Sequence, residues 1–160
     1  MIAEKDPLTL MQDLIFLKQN PIFHEVLSEE LKEVSAIAYE RKWQQNERIV
    51  TEGEPGTSLF LIKQGSVRIT KLVNQKETTL ATLNTGSLFG EMVLFEDAPR
   101  SASAYAIENC LLLIIEKEEL IRVIEHFPGI AIQLFKVMGS RLRTANEKVK
   151  ELTEQLESSP

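Results

Sequence analysis

A chain of 160 residues, 43% hydrophobic and 26% charged, has the make-up of one globular domain of ordinary size. Its net charge of −6 argues against broad binding to nucleic acid or to an anionic membrane. One cysteine, Cys110, and two histidines, His24 and His126, exclude an internal disulfide, a four-thiolate zinc site, a cysteine-ligated iron–sulfur cluster and a multi-histidine metal hydrolase. The longest apolar run, Cys110–Ile115, has six residues, against roughly 20 for a membrane-spanning helix. Glu4, Asp6 and Asp13 break the apolar stretch that a secretory signal would need. These counts favour a cytoplasmic binding or regulatory module, not an enzyme, with no metal and no cofactor.

Residues 1–35 read as helices. Asp6-Pro7 and Asn20-Pro21 each set a capping side chain before a proline at a first helical position. Leu10, Leu14 and Leu17 share one face, and Ser28 with Glu29 and Glu30 opens a further short helix. From 36 to 116 the texture changes. Gly53, Gly56, Gly65, Asn74, Gly86 and Gly90 punctuate strand-length runs at Ser58–Lys63, Ser66–Val73, Thr78–Leu83, Ser103–Ile107 and Leu111–Ile115. Val67 and Ile69 alternate with Arg68 and Thr70, the period of a half-buried strand. Many short strands at this spacing predict a barrel or jelly roll and not a βαβ sheet. Trp43 and Cys110 read as core, His24 and His126 as surface or cap groups, and Glu96-Asp97 as a solvated loop tip.

Residues 117–157 return to helix, a short amphipathic one over Lys117–Phe127 and a long one from Pro128 toward Leu156. Along the second, Phe135, Leu142, Val149 and Leu156 recur every seven residues, with Met138, Ala145 and Leu152 between them. That is the seam of a coiled coil. A homodimer through this helix is expected, the alternative being that the seam docks on its own barrel. The flanks do not decide, since Arg141 and Lys148 face the uncharged Asn146 and Thr153.

The segment 86–103 carries the chemistry. Phe89-Gly90-Glu91 ends a strand and opens a helical turn whose N–H groups make an anion site, with Gly90 letting backbone approach a ligand. Nine residues beyond Glu91, Arg100 follows Pro99 and precedes the small trio Ser101-Ala102-Ser103. A guanidinium clamps two oxygens of one phosphate, and a carboxylate accepts from sugar hydroxyls. Together they suggest a ribose phosphate. The competing reading is that Glu91 and Arg100 pair with each other and merely close a turn.

Phe89-Gly90-Glu91 followed by Pro99-Arg100-Ser101-Ala102-Ser103 resembles the phosphate-binding cassette of cyclic-nucleotide-binding domains. Ile49–Gly56, Ser58–Ile62 and Gly65-Ser66-Val67 are similar to the family's turn-and-strand pattern, and Phe23 and Leu142 fall where the family places them. The resemblance covers about residues 20–150. It implies a mixed α+β fold, a β-roll or jelly roll of about eight strands flanked by N-terminal helices and a long C-terminal helix. It also implies one domain over 1–160 that binds cyclic AMP or cyclic GMP. Carried over, Glu91 accepts the ribose 2′-hydroxyl, Arg100 pairs with the cyclic phosphate, the N–H groups of Gly90 and Ala102 and the Ser101 hydroxyl bind phosphate oxygens, and Phe89 and Met92 complete the cassette.

The residue after the arginine tends to be alanine in cyclic-AMP kinase subunits, threonine in cyclic-GMP kinases and serine in bacterial activators. Ser101 fits the last, which bind cyclic AMP. Arg141–Val149 resembles the dimer helix of those activators, where a Thr-Ser pair, one from each subunit, reads adenine. Here Ala145 and Asn146 stand at those positions, and Asn146 has the donor and acceptor to read either purine. Almost nothing follows Leu156, so no DNA-binding domain is expected in this chain. The expected function is a regulatory module that senses a cyclic nucleotide, cyclic AMP first, and signals through its C-terminal helix. The alternatives are an interaction or scaffold protein that has lost the ligand, and the sensor part of a transcription regulator.

Overall fold

The computed structural model describes residues 5–159. Helix α1 spans Pro7–Gln19, and Asp6 caps it as expected, its carboxylate accepting from the N–H groups of Leu8 and Thr9 at 3.0 and 3.1 Å. The second proline signal gives a different result. Asn20 closes α1 and no helix follows. Its Oδ1 accepts from the Ile22 N–H, its Nδ2 donates to the Gly86 carbonyl at 2.9 Å, and residues 21–26 are successive hydrogen-bonded turns. The side chain that looked like a helix cap is spent on a tertiary contact. Helix α2, Ser28–Ile37, starts at the predicted place, with Glu30 reaching back to the Leu27 N–H.

Eight strands follow: β1 (Tyr39–Trp43), β2 (Arg48–Val50), β3 (Ser58–Gln64), β4 (Ser66–Val73), β5 (Lys76–Asn84), β6 (Leu88–Phe89), β7 (Ser103–Ala106) and β8 (Cys110–Glu116). They form two antiparallel four-stranded sheets, β1-β8-β3-β6 and β2-β7-β4-β5. This is the expected β-roll.

The continuous apolar runs at β3 and β8 have a direct cause. Successive strand residues point to opposite faces, and both faces here are covered. Phe60 and Ile62 of β3, with Cys110, Leu112 and Ile114 of β8, fill the inside of the roll together with Trp43, Val67 and Phe89. Leu59, Leu61, Leu113 and Ile115 point the other way, into a second core made with Leu17, Phe23, Leu31, Leu120, Ile130 and Leu134 from the helical side. The first sheet is therefore the wall between two cores.

Helix α3 (Lys117–His126) and helix α4 (Gly129–Glu157) close the chain. At 1.5 Å per residue, the 29 residues of α4 extend about 43 Å. Only its start is anchored by burial, through Ile130 and Leu134. Gln133 donates to Glu25 at 3.0 Å, and Lys136 pairs with the same carboxylate. Beyond that, Phe135, Leu142, Val149, Leu152 and Leu156 are all more than half exposed. Phe135 meets the Phe95 ring and Met138 is half-buried, but Leu142, Val149, Leu152 and Leu156 do not dock on the roll. Among the described residues no helix is long and apolar enough to cross a membrane.

Candidate functional site

One cavity of about 530 Å3 lies between the second sheet, the segment 89–104 and the cavity-facing side of α4. Its apolar wall comes from Val50, Ile69, Leu80, Leu83 and Ala104. Of the eight residues singled out from sequence, seven line it: Phe89, Gly90, Glu91, Met92, Arg100, Ser101 and Ala102.

The local chain explains how these seven meet. Phe89 is fixed in β6, where its ring stacks on Phe60 at 4.9 Å. The chain then turns sharply at Gly90, with φ of 77°, into a 3-10 turn over Glu91–Leu94. A side chain there would be strained by that backbone and would stand 2.9 Å from the Arg100 Nη1 and 3.1 Å from the Ser58 carbonyl. Across the cavity floor, Arg100 is held from its backbone outward. Its N–H donates to Glu54 and its carbonyl accepts from Gly53, at 2.8 and 2.9 Å, pinning the arginine to the turn before β3. Lys71 donates to the Ser101 carbonyl at 2.6 Å, which ties the next residue to β4.

The Arg100 guanidinium donates through Nη2 to the Ser58 carbonyl at 2.9 Å and lies over the Phe60 ring at 5.5 Å. Gly56 leaves the room for it, since a Cβ at that position would sit 2.0 Å from the arginine Nε. Burial presses this group below the ordinary arginine value, partly offset by Glu116. Its partners are thus dipoles and a π-face. A desolvated cation held by neutral groups is prepared for an anion.

Glu91 is 6% exposed, and its partner is Arg141 of α4, which also donates to the Leu88 carbonyl. The reading in which Glu91 and Arg100 pair with each other is thereby replaced. The carboxylate is tied to the helix and the guanidinium to the roll, with the hollow between them. Because α4 enters through Arg141, it supplies Ser140, Thr144, Ala145 and Lys148 to the same cavity. Spacings of three, four and seven residues put Arg141, Thr144, Ala145 and Lys148 on one helix face.

Asn146 is the one that stands apart. It is exposed and does not line the cavity of its own chain, because one residue past Ala145 the helix has turned about 100° away. The helix residues that do line it had no local signal, being some 40 to 50 positions from the cassette in sequence. Arg141 and Lys148 left a trace as basic flanks of the heptad seam, and Ala145 as one of its apolar positions. The two histidines take no part. His24 sits against the Pro21 carbonyl and His126 against that of Arg122, both exposed. Asp97 pairs with Lys117 in the neighbouring groove beyond the Pro99 loop.

Residues 40–127 match the family model described as "Cyclic nucleotide-binding domain". The chain is 35% identical over 131 residues to the Cyclic AMP receptor protein of Thermus thermophilus, covering 81% of this chain and 61% of that protein. It is 32% identical over 105 residues to a CRP-like cAMP-activated global transcriptional regulator of Mycobacterium tuberculosis, covering 65% of this chain and 47% of the other. The crystal structure of the Thermus thermophilus Catabolite Activator Protein superposes with a TM-score of 0.76 at 34% identity, over 83% of this chain and 63% of that one. The chain therefore spans about half to three-fifths of the length of these curated relatives.

Proposed function

The chain belongs to the cyclic nucleotide-binding domain family, and on that footing we propose that it is a cytoplasmic sensor of a cyclic purine nucleotide, cyclic AMP first. One observation carries this reading: a partly buried guanidinium whose hydrogen-bond and ring partners are neutral shares a hollow with a buried carboxylate. The cyclic phosphate meets Arg100, the N–H groups of Gly90 and Ala102, and the Ser101 hydroxyl. The ribose 2′-hydroxyl donates to Glu91. Phe89 and Met92 flank the sugar. Cyclic AMP comes first because two of the relatives are named for it and because serine follows the arginine at Ser101.

Ligand reaches the rest of the molecule through α4. Glu91 serves both the sugar and Arg141, so the pose of the helix and the occupancy of the cavity are linked. A ligand shifts such an equilibrium only by its differential affinity for the two poses. The exposed seam of α4 is consistent with a parallel homodimer. In such a pair Asn146, at an e position, lies beside the partner's g-position arginine, the one that holds the cavity. Asn146 then reads the base of the other subunit's ligand. Replacing Leu142 and Val149 by glutamate is expected to give monomers in sedimentation at every concentration, whereas wild type is dimeric.

The test is thermal unfolding with and without cyclic AMP or cyclic GMP. At about 100-fold over the dissociation constant a ligand stabilises by about 2.7 kcal/mol, a rise of a few degrees at this chain length. Arg100→Ala is expected to unfold at nearly the wild-type temperature without ligand and to lose the rise entirely. No rise in either wild type or variant would favour a scaffold that has kept the roll and lost its ligand, and an equal rise in both would remove Arg100 from the site.

A further inference from the structure

The acceptor that seats Arg100 must itself be held. The guanidinium donates to the Ser58 carbonyl at 2.9 Å. Ser58 is the first residue of β3 and pairs in register with Glu116, the last of β8. This is the end of the ladder, where backbone pairing alone holds least. Glu116 closes that end with its side chain. Its carboxylate accepts from the Ser58 hydroxyl at 2.9 Å and the Thr57 hydroxyl at 3.1 Å, and the Tyr39 hydroxyl of β1 donates to it at 2.8 Å. The next residue adds a backbone bond, the Lys117 N–H donating to the Thr57 carbonyl at 2.7 Å.

Local structure alone would put a different residue at 116. It is the N-cap of α3, where serine, threonine, aspartate or asparagine would accept from the helix's own N–H groups. The glutamate makes no such bond, and its carboxylate is turned to β3 and β1 instead. A side chain that forgoes its local task for distant partners marks a place where function overrides local preference. Glu116 stands on the groove beyond the Pro99 loop, together with Gly56, the residue that makes room for the guanidinium. Its charge also reaches the arginine, offsetting the burial that lowers that group.

We propose that Glu116 is a positioning residue of the anion seat: from outside the cavity it fixes the entry to β3 through Thr57 and Ser58, and so aims Arg100 at the phosphate. This rests on the cyclic-nucleotide reading above. The three hydroxyls supply an internal control, because two belong to the stretch that carries the acceptor of Arg100 and one does not. In calorimetric titration with cyclic AMP, Glu116→Ala is expected to lose about tenfold in affinity, the scale of one hydrogen bond to a charged group. Thr57→Val combined with Ser58→Ala should match that loss, and Glu116→Gln, which keeps one acceptor oxygen, should recover part of it. Tyr39→Phe, which removes the third hydroxyl, should stay within about twofold of wild type. Should Glu116→Ala fail to fold, the contrast between the paired variant and Tyr39→Phe still decides. Variants that melt lower without ligand but bind as wild type does make Glu116 a brace of the roll and overturn the assignment. Equal losses in Tyr39→Phe and the paired variant overturn it too, and both results leave the sensor reading standing. No binding by wild type removes the assignment and the reading together.

Discussion

The two ends of the cavity are built in opposite ways. The end that meets phosphate is made by one stretch of chain lashed to the roll: Arg100 is bonded through its backbone to Gly53 and Glu54, through its side chain to Ser58, and rests on a Phe60–Phe89 stack inside a closed core. The other end is made by a helix whose first turns alone are buried and whose hold on the site is the Arg141 contact to Glu91 and Leu88. On the proposed reading the first is the anion seat, and the second links occupancy to the helix, about 24 Å of which follow Arg141.

The contrast breaks most severely at Phe60. It is 6% exposed, lies under the guanidinium and belongs to the inner core, so Phe60→Ala is expected to cost about 3–5 kcal/mol of stability in denaturant unfolding. The variant that still folds would bind nucleotide poorly, because the arginine has lost its floor. A stability loss under 1 kcal/mol would show that the phosphate end is not part of the rigid core.

Glu91 sharpens the comparison, since it belongs to both ends. Glu91→Ala is expected to weaken cyclic AMP by about tenfold or more, the scale of a hydrogen bond to a charged group. It should also make the protein indifferent to removal of the 2′-hydroxyl. Wild type should lose a similar factor toward 2′-deoxy cyclic AMP. Equal losses in wild type and variant would place the ribose elsewhere.

The smallest effect is on pH. Lys136 first, then Gln133, hold the Glu25 carboxyl below its ordinary value. A carboxyl depressed in the folded state contributes stability above its ordinary value and loses it as pH falls through the folded one. The tie between α4 and the turn at 21–26 is thus present at neutral pH. It should loosen only below about pH 4, the usual glutamate range, and more readily in high salt because the pair is exposed. Amide exchange in the first turns of α4 should quicken there before exchange in β3 or β8 does. Simultaneous quickening of all three would contradict a separately anchored helix.

The same division governs what the residues reveal before folding. The phosphate end is legible because it is contiguous: the turn at Gly90, the carboxylate and the arginine fall within a few positions of one another, and small residues mark where a ligand fits. Strands with a buried alternation were equally plain, β4 at Ser66–Val73 being predicted to the residue and β8 within one at each end. Two strands gave no individual signal, and the sixth showed only its end at Phe89. The first, Tyr39–Trp43, is an edge strand exposed at four of five positions and carrying Glu40, Arg41 and Lys42, the charges that keep an edge from pairing with another chain. The second and sixth have three and two residues, too few for any period. The helix end of the cavity is less legible for a different reason. Which side of α4 faces the site depends on the rotation at which a helix from another part of the chain docks, and the heptad pattern reports the seam and not the cavity. So the seam leads to Asn146, whereas Arg141, Thr144 and Lys148 line the cavity of the same chain.

The claim beneath all of this is that Arg100 is an anion seat. Titrating the wild-type protein calorimetrically with cyclic AMP and, in parallel, with adenosine tests it most directly, since the two share base and sugar and differ in the phosphate. Binding of cyclic AMP at one site per chain, with adenosine at least about a hundredfold weaker, is the predicted result. Equal affinity for both, or no heat with either at millimolar concentration, would contradict it.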